Sequence, residues 1–422
     1  MKNTISKGIV LLASGTAGAQ MIVLIAMPFL TRIYNPEQFG ILSVYSSIIS
    51  ILIINAALRY EQAIPLVDDE TEAFQLLVLS LALTFIIATI LFAFGQFGIF
   101  ELLPARLIVI DKYWIYVPIG FLFAGLYQIL VEWGVRERTY GVIMKTKVTQ
   151  ATFQVGVQCA IGYFIGATYG LLLGHVIGLS AGISRLVLML KDVKQSLSCV
   201  KYKSLMAISR KHINYPKYLA LAGFFNVGAR YMPSIIIAWL YGATIAGFFF
   251  LAERVLNAPL LLISDSIGKV VYGECAKLHR ENASLSLFIR KAILILSIVG
   301  GFLTTIIFFF SELIFSFVFG SEWLASGYIA SVLSLLFLFR FVTSPLAKIL
   351  NIYNMQRINM YFQIMLFMIS ISSLIVAEKL DYGYQVAIAL YSISASIIYF
   401  LYILFLNNVV GLDNRLGKEH CA

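Results

Sequence analysis

Three arginines, Arg230, Arg254 and Arg340, lie inside long apolar stretches of a 422-residue chain. A guanidinium stays charged in proteins and presents five donors in a planar fork, matched to the paired oxygens of a phosphate or carboxylate. A charge at the centre of a membrane span costs about 2.5–3.5 kcal/mol, and such residues mark substrate or ion paths. The chemistry these residues offer is recognition of an anion. Arg230 and Arg254 fall near the middle of two consecutive stretches, which places them at similar depth in antiparallel helices. Arg340 lies closer to one end of its stretch, just before Ser344-Pro345, and Arg59 ends an earlier stretch on that same side. Together they read as a positive ladder leading inward, although Arg59 reads equally well as a side chain that snorkels to the interface. Glu253 and Asn257 share the stretch of Arg254, and Gln20 stands in the first stretch. Neighbouring positions on a helix do not face each other. Glu253 therefore either pairs across helices with Arg230 or contacts the substrate.

The elements that must position these residues are membrane helices. With 60% hydrophobic and 12% charged residues the chain is no soluble globule. Twelve apolar stretches, at 8–30, 40–58, 73–99, 113–131, 148–166, 169–190, 218–240, 243–270, 287–311, 325–347, 358–377 and 384–406, match a hydrocarbon core of about 30 Å. With the N-terminus inside, the inner side holds 24 of the 31 Lys and Arg, and the outer connections hold four: Arg32, Arg106, Lys112 and Lys379. Basic inner loops set orientation, so the net charge of +10 reads as contact with anionic lipid and not with nucleic acid. The connection 59–72 is acidic, but acidic residues count little in that rule. The stretch 8–30 follows Lys2 and Lys7, is too long for a signal-peptide core, and reads as a retained first span. Trp114, Trp133, Trp239 and Trp323 fall at span ends, where aromatic belts sit.

The basic connection 191–217 divides the chain into spans of 1–190 and of 218–406, with a tail at 407–422. Six spans on each side make any repeat a parallel one. Gly18-Ala19-Gln20 resembles Gly228-Ala229-Arg230, and each is followed by a further glycine, Gly40 and Gly247. The expected architecture is an all-α integral membrane protein with about twelve transmembrane helices in two six-helix bundles.

No phosphate-binding loop, metal-ligand spacing or carboxylate pair is present, so no cofactor is expected and the chain does not read as an enzyme. The cysteines Cys159, Cys199, Cys275 and Cys421 fall in a span or on the inner side. His175 and the small residues Ser14, Gly15 and Gly18 read as helix packing.

The stretch Leu30-Thr31-Arg32-Ile33-Tyr34-Asn35-Pro36-Glu37-Gln38-Phe39-Gly40 resembles the first outer turn of bacterial polysaccharide transporters. Leu58-Arg59-Tyr60-Glu61-Gln62-Ala63-Ile64-Pro65-Leu66 is similar to the end of their second span. These are O-antigen and lipid-linked oligosaccharide flippases, relatives of multidrug extruders and of the lipid II flippase. The resemblance implies a central cavity open alternately to either side of the inner membrane. It implies undecaprenyl-pyrophosphate-linked oligosaccharide as cargo, and polymerase and chain-length proteins as partners. Arg59 and Arg254 match two arginine-bearing spans of lipid II flippases by span number, whereas span one has no internal arginine. The rival readings are a cation-coupled drug antiporter, which wants a buried acid in an early span, and a membrane-embedded polymerase or ligase, which wants a large outer loop.

Overall fold

In a computed structural model, residues 2–99, 108–165, 168–190, 201–280, 285–347, 349–352 and 355–419 are described, and they form helices and short connections with no strand among them. Ten helices among these residues are long and apolar enough to cross a membrane. The expected spans 148–166 and 243–270 are helices too, but more polar ones: the first carries Gln150, Gln154 and Gln158, the second Glu253, Arg254 and Asn257.

Two compact units make up the chain, Met1–Gly247 and Phe248–Ala422. The first holds α1 (Lys2–Ile33), α2 (Pro36–Ile53), α3 (Glu70–Gln96), α4 (Tyr116–Arg136), α5 (Tyr140–Ile165), α6 (Thr168–Ser180), the short α7 (Ile183–Val187), α8 (Tyr202–Lys211) and α9 (Leu221–Tyr241). Helix α10 (Ala243–Arg280) begins in the first unit and runs into the second, which adds α11 (Ser286–Phe319), α12 (Leu324–Leu346), the short α13 (Ile349–Ile352), α14 (Gln356–Lys379) and α15 (Tyr384–Glu419). Within the expected loop 100–112, residues 100–107 lie outside the described residues, as do 191–200 of the basic connection, Cys199 and Cys421.

Between helices in lipid there is little hydrophobic drive, so close approach of small residues and hydrogen bonds hold them together. The first transporter-like stretch supplies both. Asn35 caps α2: its side chain accepts from the Gln38 amide at 2.9 Å and Gln38 accepts from the Asn35 amide at 3.0 Å, a capping box with Pro36 at the first position. Tyr34 is buried and donates its hydroxyl to the Gln158 carbonyl at 2.7 Å, which ties the end of α1 to α5. These two helices run parallel along their length, with Gly8 against Tyr140 and Gly15 against Met144.

The glycines of the suspected repeat meet each other. A Cβ on Gly40 would stand 1.8 Å from the Ala243 carbonyl oxygen, and one on Gly247 1.8 Å from the Pro36 carbonyl oxygen. Ala243 precedes Gly247 by four residues and Pro36 precedes Gly40 by four, so the starts of α2 and α10 cross reciprocally, as two copies of one motif would.

The second transporter-like stretch forms the connection from α2 to α3. Tyr60 donates to the Ser209 carbonyl at 3.0 Å, and Ile208 of α8 is buried in a cluster with Ala63, Ile64, Leu77 and Trp133. Asp69 caps α3 by accepting from the amides of Thr71 and Glu72. Glu72 takes Lys211 and His212 at 2.7 Å each. Three of the acids in this connection thus have local partners or a buried place. The belt reading of the tryptophans holds for exposure only in part: Trp239 is exposed, whereas Trp133 and Trp323 are buried in protein, where their large rings fill packing space.

In the second unit, Ser311 donates to the Gly327 carbonyl at 2.8 Å between α11 and α12, and Ser392 to the Val332 carbonyl at 2.8 Å between α15 and α12. Each of these small polar residues satisfies itself on a neighbouring backbone, the available solution where water is absent.

The glycine crossing predicts a clear contrast. Gly40→Ala or Gly247→Ala drives a methyl into backbone that cannot swing aside and costs about 1–3 kcal/mol. Gly18→Ala, whose new Cβ would meet only Val148 at 3.8 Å, stabilises α1 or leaves it unchanged. Melting of the detergent-solubilised variants measures this, and equal behaviour of Gly18→Ala and Gly40→Ala would refute the crossing.

Candidate functional site

Each unit holds its own group of charged residues. In the first, α2 ends in irregular turns, with Leu58 and Arg59 both at positive φ (50° and 68°). That left-handed backbone is uncommon outside glycine and folds the Arg59 side chain back into the protein. Its guanidinium packs on the α9 backbone at Gly223, where an added Cβ would come within 2.6 Å of an Arg59 nitrogen. The carboxylates of Glu61 and Glu132 provide its electrostatic counterweight. Glu61 is almost wholly buried, at 1% exposure, and accepts from Gln128 Nε2 at 3.0 Å. Glu132 lies on α4, one turn before its end. Arg136 of the same helix donates to the carbonyls of Ile64, Val67 and Asp68 and pins the connection in place.

Arg230 sits differently. It is exposed within the unit, midway along α9, with its guanidinium 5.6 Å from the ring centroid of Tyr231. Gln20 is half-buried on α1. One turn earlier on α1, Thr16 accepts from Lys147 Nζ at 2.7 Å. Lys147 is a cation that the sequence pattern missed, because the apolar run of its span starts one residue later while the helix itself starts at Tyr140.

In the second unit, Glu253 of α10 pairs with Arg340 of α12, Nη1 to Oε1 at 3.0 Å. Arg340 Nη2 donates to the hydroxyl of Tyr391 on α15, also at 3.0 Å. Both charged side chains are largely buried, at 15% and 14% exposure, and Tyr391 completely so. Asn257, one turn beyond Glu253, lines a small cavity beside the pair with Leu256, Leu333 and Phe337. Arg254 is half-buried and holds its guanidinium 5.3 Å from the ring centroid of Phe250.

Of the two partners open to Glu253, Arg230 or substrate, the structure supplies a third in Arg340. Arg340, Glu253 and Asn257 come together within one unit, and Arg254 is adjacent on the same helix. Arg59 is a half-buried, compensated cation and Arg230 an exposed one. Glu61, Glu132, Gln128, Lys147 and Tyr391 were not singled out from sequence. For Glu61 the available signal was an acid flanked by residues that become core; Tyr391 carried none, since tyrosines are frequent throughout the chain.

Glu61 lies outside the spans, between α2 and α3. Burial, reinforced by Glu132 and opposed by Arg59 and Gln128, raises its carboxyl from the ordinary 4.5 to about 7. The folded protein thus holds a proton that the unfolded chain releases between these values, so stability falls as pH rises through that window, in full by on the order of 3 kcal/mol. Glu61→Gln keeps the acceptor for Gln128 and removes the charge. Its melting temperature should match that of the parent at pH 5 and exceed it at pH 8; equal shifts of both proteins with pH would exclude a buried, titrating Glu61.

A structure of the lipid II flippase MurJ in an inward-closed conformation matches with a TM-score of 0.74 at 15% identity, over 94% of this chain and 87% of that one. The Vibrio cholerae MATE transporter VcmN matches with a TM-score of 0.57 at 13% identity over 96% of both chains. A MOP-superfamily transporter from Pyrococcus furiosus matches with a TM-score of 0.58 at 13% identity, again over 96% of both. No curated protein matches in sequence. The fold is therefore the one that these transporters share. A family model for polysaccharide biosynthesis proteins matches residues 29–328, most of the chain, and the chain belongs to that family.

Proposed function

We propose that the chain is a flippase that moves undecaprenyl-pyrophosphate-linked oligosaccharide, an O-antigen or similar repeat unit, from the cytoplasmic to the periplasmic leaflet of the bacterial inner membrane by alternating access. A pyrophosphate–sugar head cannot cross hydrocarbon unaided, while its polyprenyl tail can stay in lipid. The observation that carries this reading is Arg230, a cation exposed midway along a membrane helix in a member of a polysaccharide biosynthesis family. A charge at that depth is stable only against an aqueous cavity or an anion. Two six-helix halves, 1–190 and 218–406, would flank the cavity, with both termini cytoplasmic. Arg254 and Arg230 bind the pyrophosphate, Gln20 and Asn257 contribute polar contacts, and Arg59 stands at the cytoplasmic mouth. The polymerase and chain-length proteins act on the delivered product.

A second reading has one observation in its favour. A cation-coupled exporter of small molecules wants a buried acid in an early span; Glu132 stands half-buried in the last turns of α4, with the buried Glu61 beside it in the connection after α2. Deleting the gene in its host separates the two: the flippase reading requires lipid-linked repeat units to build up on the cytoplasmic leaflet, whereas an exporter would leave their distribution unchanged.

Two further outcomes follow from the flippase reading. Arg254→Ala should lower transport by about tenfold or more, the worth of a hydrogen bond to a charged group, while Arg254→Lys retains part because charge survives without the fork. Complementation of the deletion strain measures this, and full activity of Arg254→Ala takes the residue out of the site. For orientation, Ser321→Cys in a protein lacking the native cysteines should react with an impermeant thiol reagent in intact spheroplasts, and Lys203→Cys only after permeabilisation. The reverse pattern overturns the topology.

A further inference from the structure

We propose that Glu253, Arg340 and Tyr391 form a polar clasp that fixes the rotation of α10 and thereby aims Arg254, so that Arg340 and Glu253 position the anion site and do not bind the anion. The part about the anion rests on the flippase reading above; the clasp itself does not.

The clasp joins three helices. Glu253 comes from α10, Arg340 from α12 and Tyr391 from α15, with two hydrogen bonds of 3.0 Å. Its receiving side is rigid by other means. Ser392, the residue after Tyr391, donates to the Val332 carbonyl at 2.8 Å, and Tyr402 donates to the Ala347 carbonyl at 3.3 Å, so α12 and α15 are tied above and below Arg340. Helix α10 meets this pair at two points one turn apart, because Phe249 also packs on Tyr391, with ring centroids 6.1 Å apart.

The helix has need of such fixing. Pro259, six residues beyond Glu253, removes the hydrogen bond to the Val255 carbonyl and loosens the turn from Val255 to Pro259. A helix advances about 100° per residue. With Glu253 held inward against Arg340, Arg254 is turned about 100° away from the clasp. A twist of that size is enough to exchange the two faces; the Gly40–Gly247 crossing holds the start of α10, and the clasp opposes the twist at Glu253. Arg340 has its guanidinium engaged on both sides by Glu253 and Tyr391, and its planar fork suits such a two-sided contact where a lysine would make one.

The test uses the full-length chain in lipid nanodiscs, with the native cysteines replaced and single cysteines placed at 254, 255, 257 and 258. Rates of alkylation by a small charged thiol reagent map which face of α10 is wet. With the clasp intact, position 254 should react fastest. Tyr391→Phe, which keeps the ring, and Arg340→Lys should each slow 254 by about tenfold, the effect of losing one hydrogen bond to a charged group, and speed a neighbouring position. The neutral pair Glu253→Gln with Arg340→Gln should show the same altered pattern although no charge is stranded. An unchanged pattern in Tyr391→Phe and Arg340→Lys overturns the clasp. A second measurement uses undecaprenyl diphosphate with Arg254 present: Tyr391→Phe should weaken its binding. If the parent protein does not bind it, the substrate reading falls and the alkylation pattern still decides the clasp. If parent and Tyr391→Phe bind it equally, the aiming of Arg254 is refuted.

Discussion

A charge inside a bilayer must find either a counter-charge or water, because hydrocarbon offers it neither. Much of the architecture follows from how each charged side chain meets that demand. Arg340 is answered by Glu253 and by the hydroxyl of Tyr391. Arg59 is answered by Glu61 and Glu132 just beyond the end of α2. Breaking one partner of such a pair leaves the other stranded, at a cost of about 3–5 kcal/mol, so these pairs fix helices relative to one another even though their net contribution to stability is small. Arg230 is placed differently: it stays exposed on α9, beside the ring of Tyr231.

The spans were legible because burial in lipid writes a long apolar run into the sequence. All twelve stretches read as spans, ten helices among the described residues are long and apolar enough to cross a membrane, and the two more polar ones, α5 and α10, are those that carry Lys147, Glu253 and Arg254. Their polarity is functional information, since a helix that is apolar all round has nothing to offer a cavity. The first transporter-like stretch was legible in a further sense. Asn35-Pro36-Glu37-Gln38 is a helix start by capping rules alone, so a pattern recognised as resemblance also has a local physical cause.

The pairing of the charges was not legible. Depth can be read from position along a span, but Glu253 and Arg340 are 87 residues apart, and no rule of spacing joins them. Adjacency in sequence made Arg230 the partner to weigh against substrate, because its helix precedes that of Glu253. The choice depends on which helices pack, and that is set by glycines and hydroxyls whose contacts are long-range. The burial of Glu61 was hidden for a related reason: the connection 59–72 looks like a solvated acidic loop until Arg136 and Ile208 are seen to close over it.

The reciprocal crossing of Gly40 and Gly247 turns a short sequence echo into an argument about symmetry. Two unrelated helices that happen to touch have no reason to place equivalent glycines against each other with the same four-residue offset; two copies of one motif related by an approximate two-fold axis must do so. If α2 and α10 are such copies, then so are the helices before them, α1 and α9, and Gln20 and Arg230 occupy equivalent places. One copy then carries a neutral amide and the other a guanidinium at the same depth.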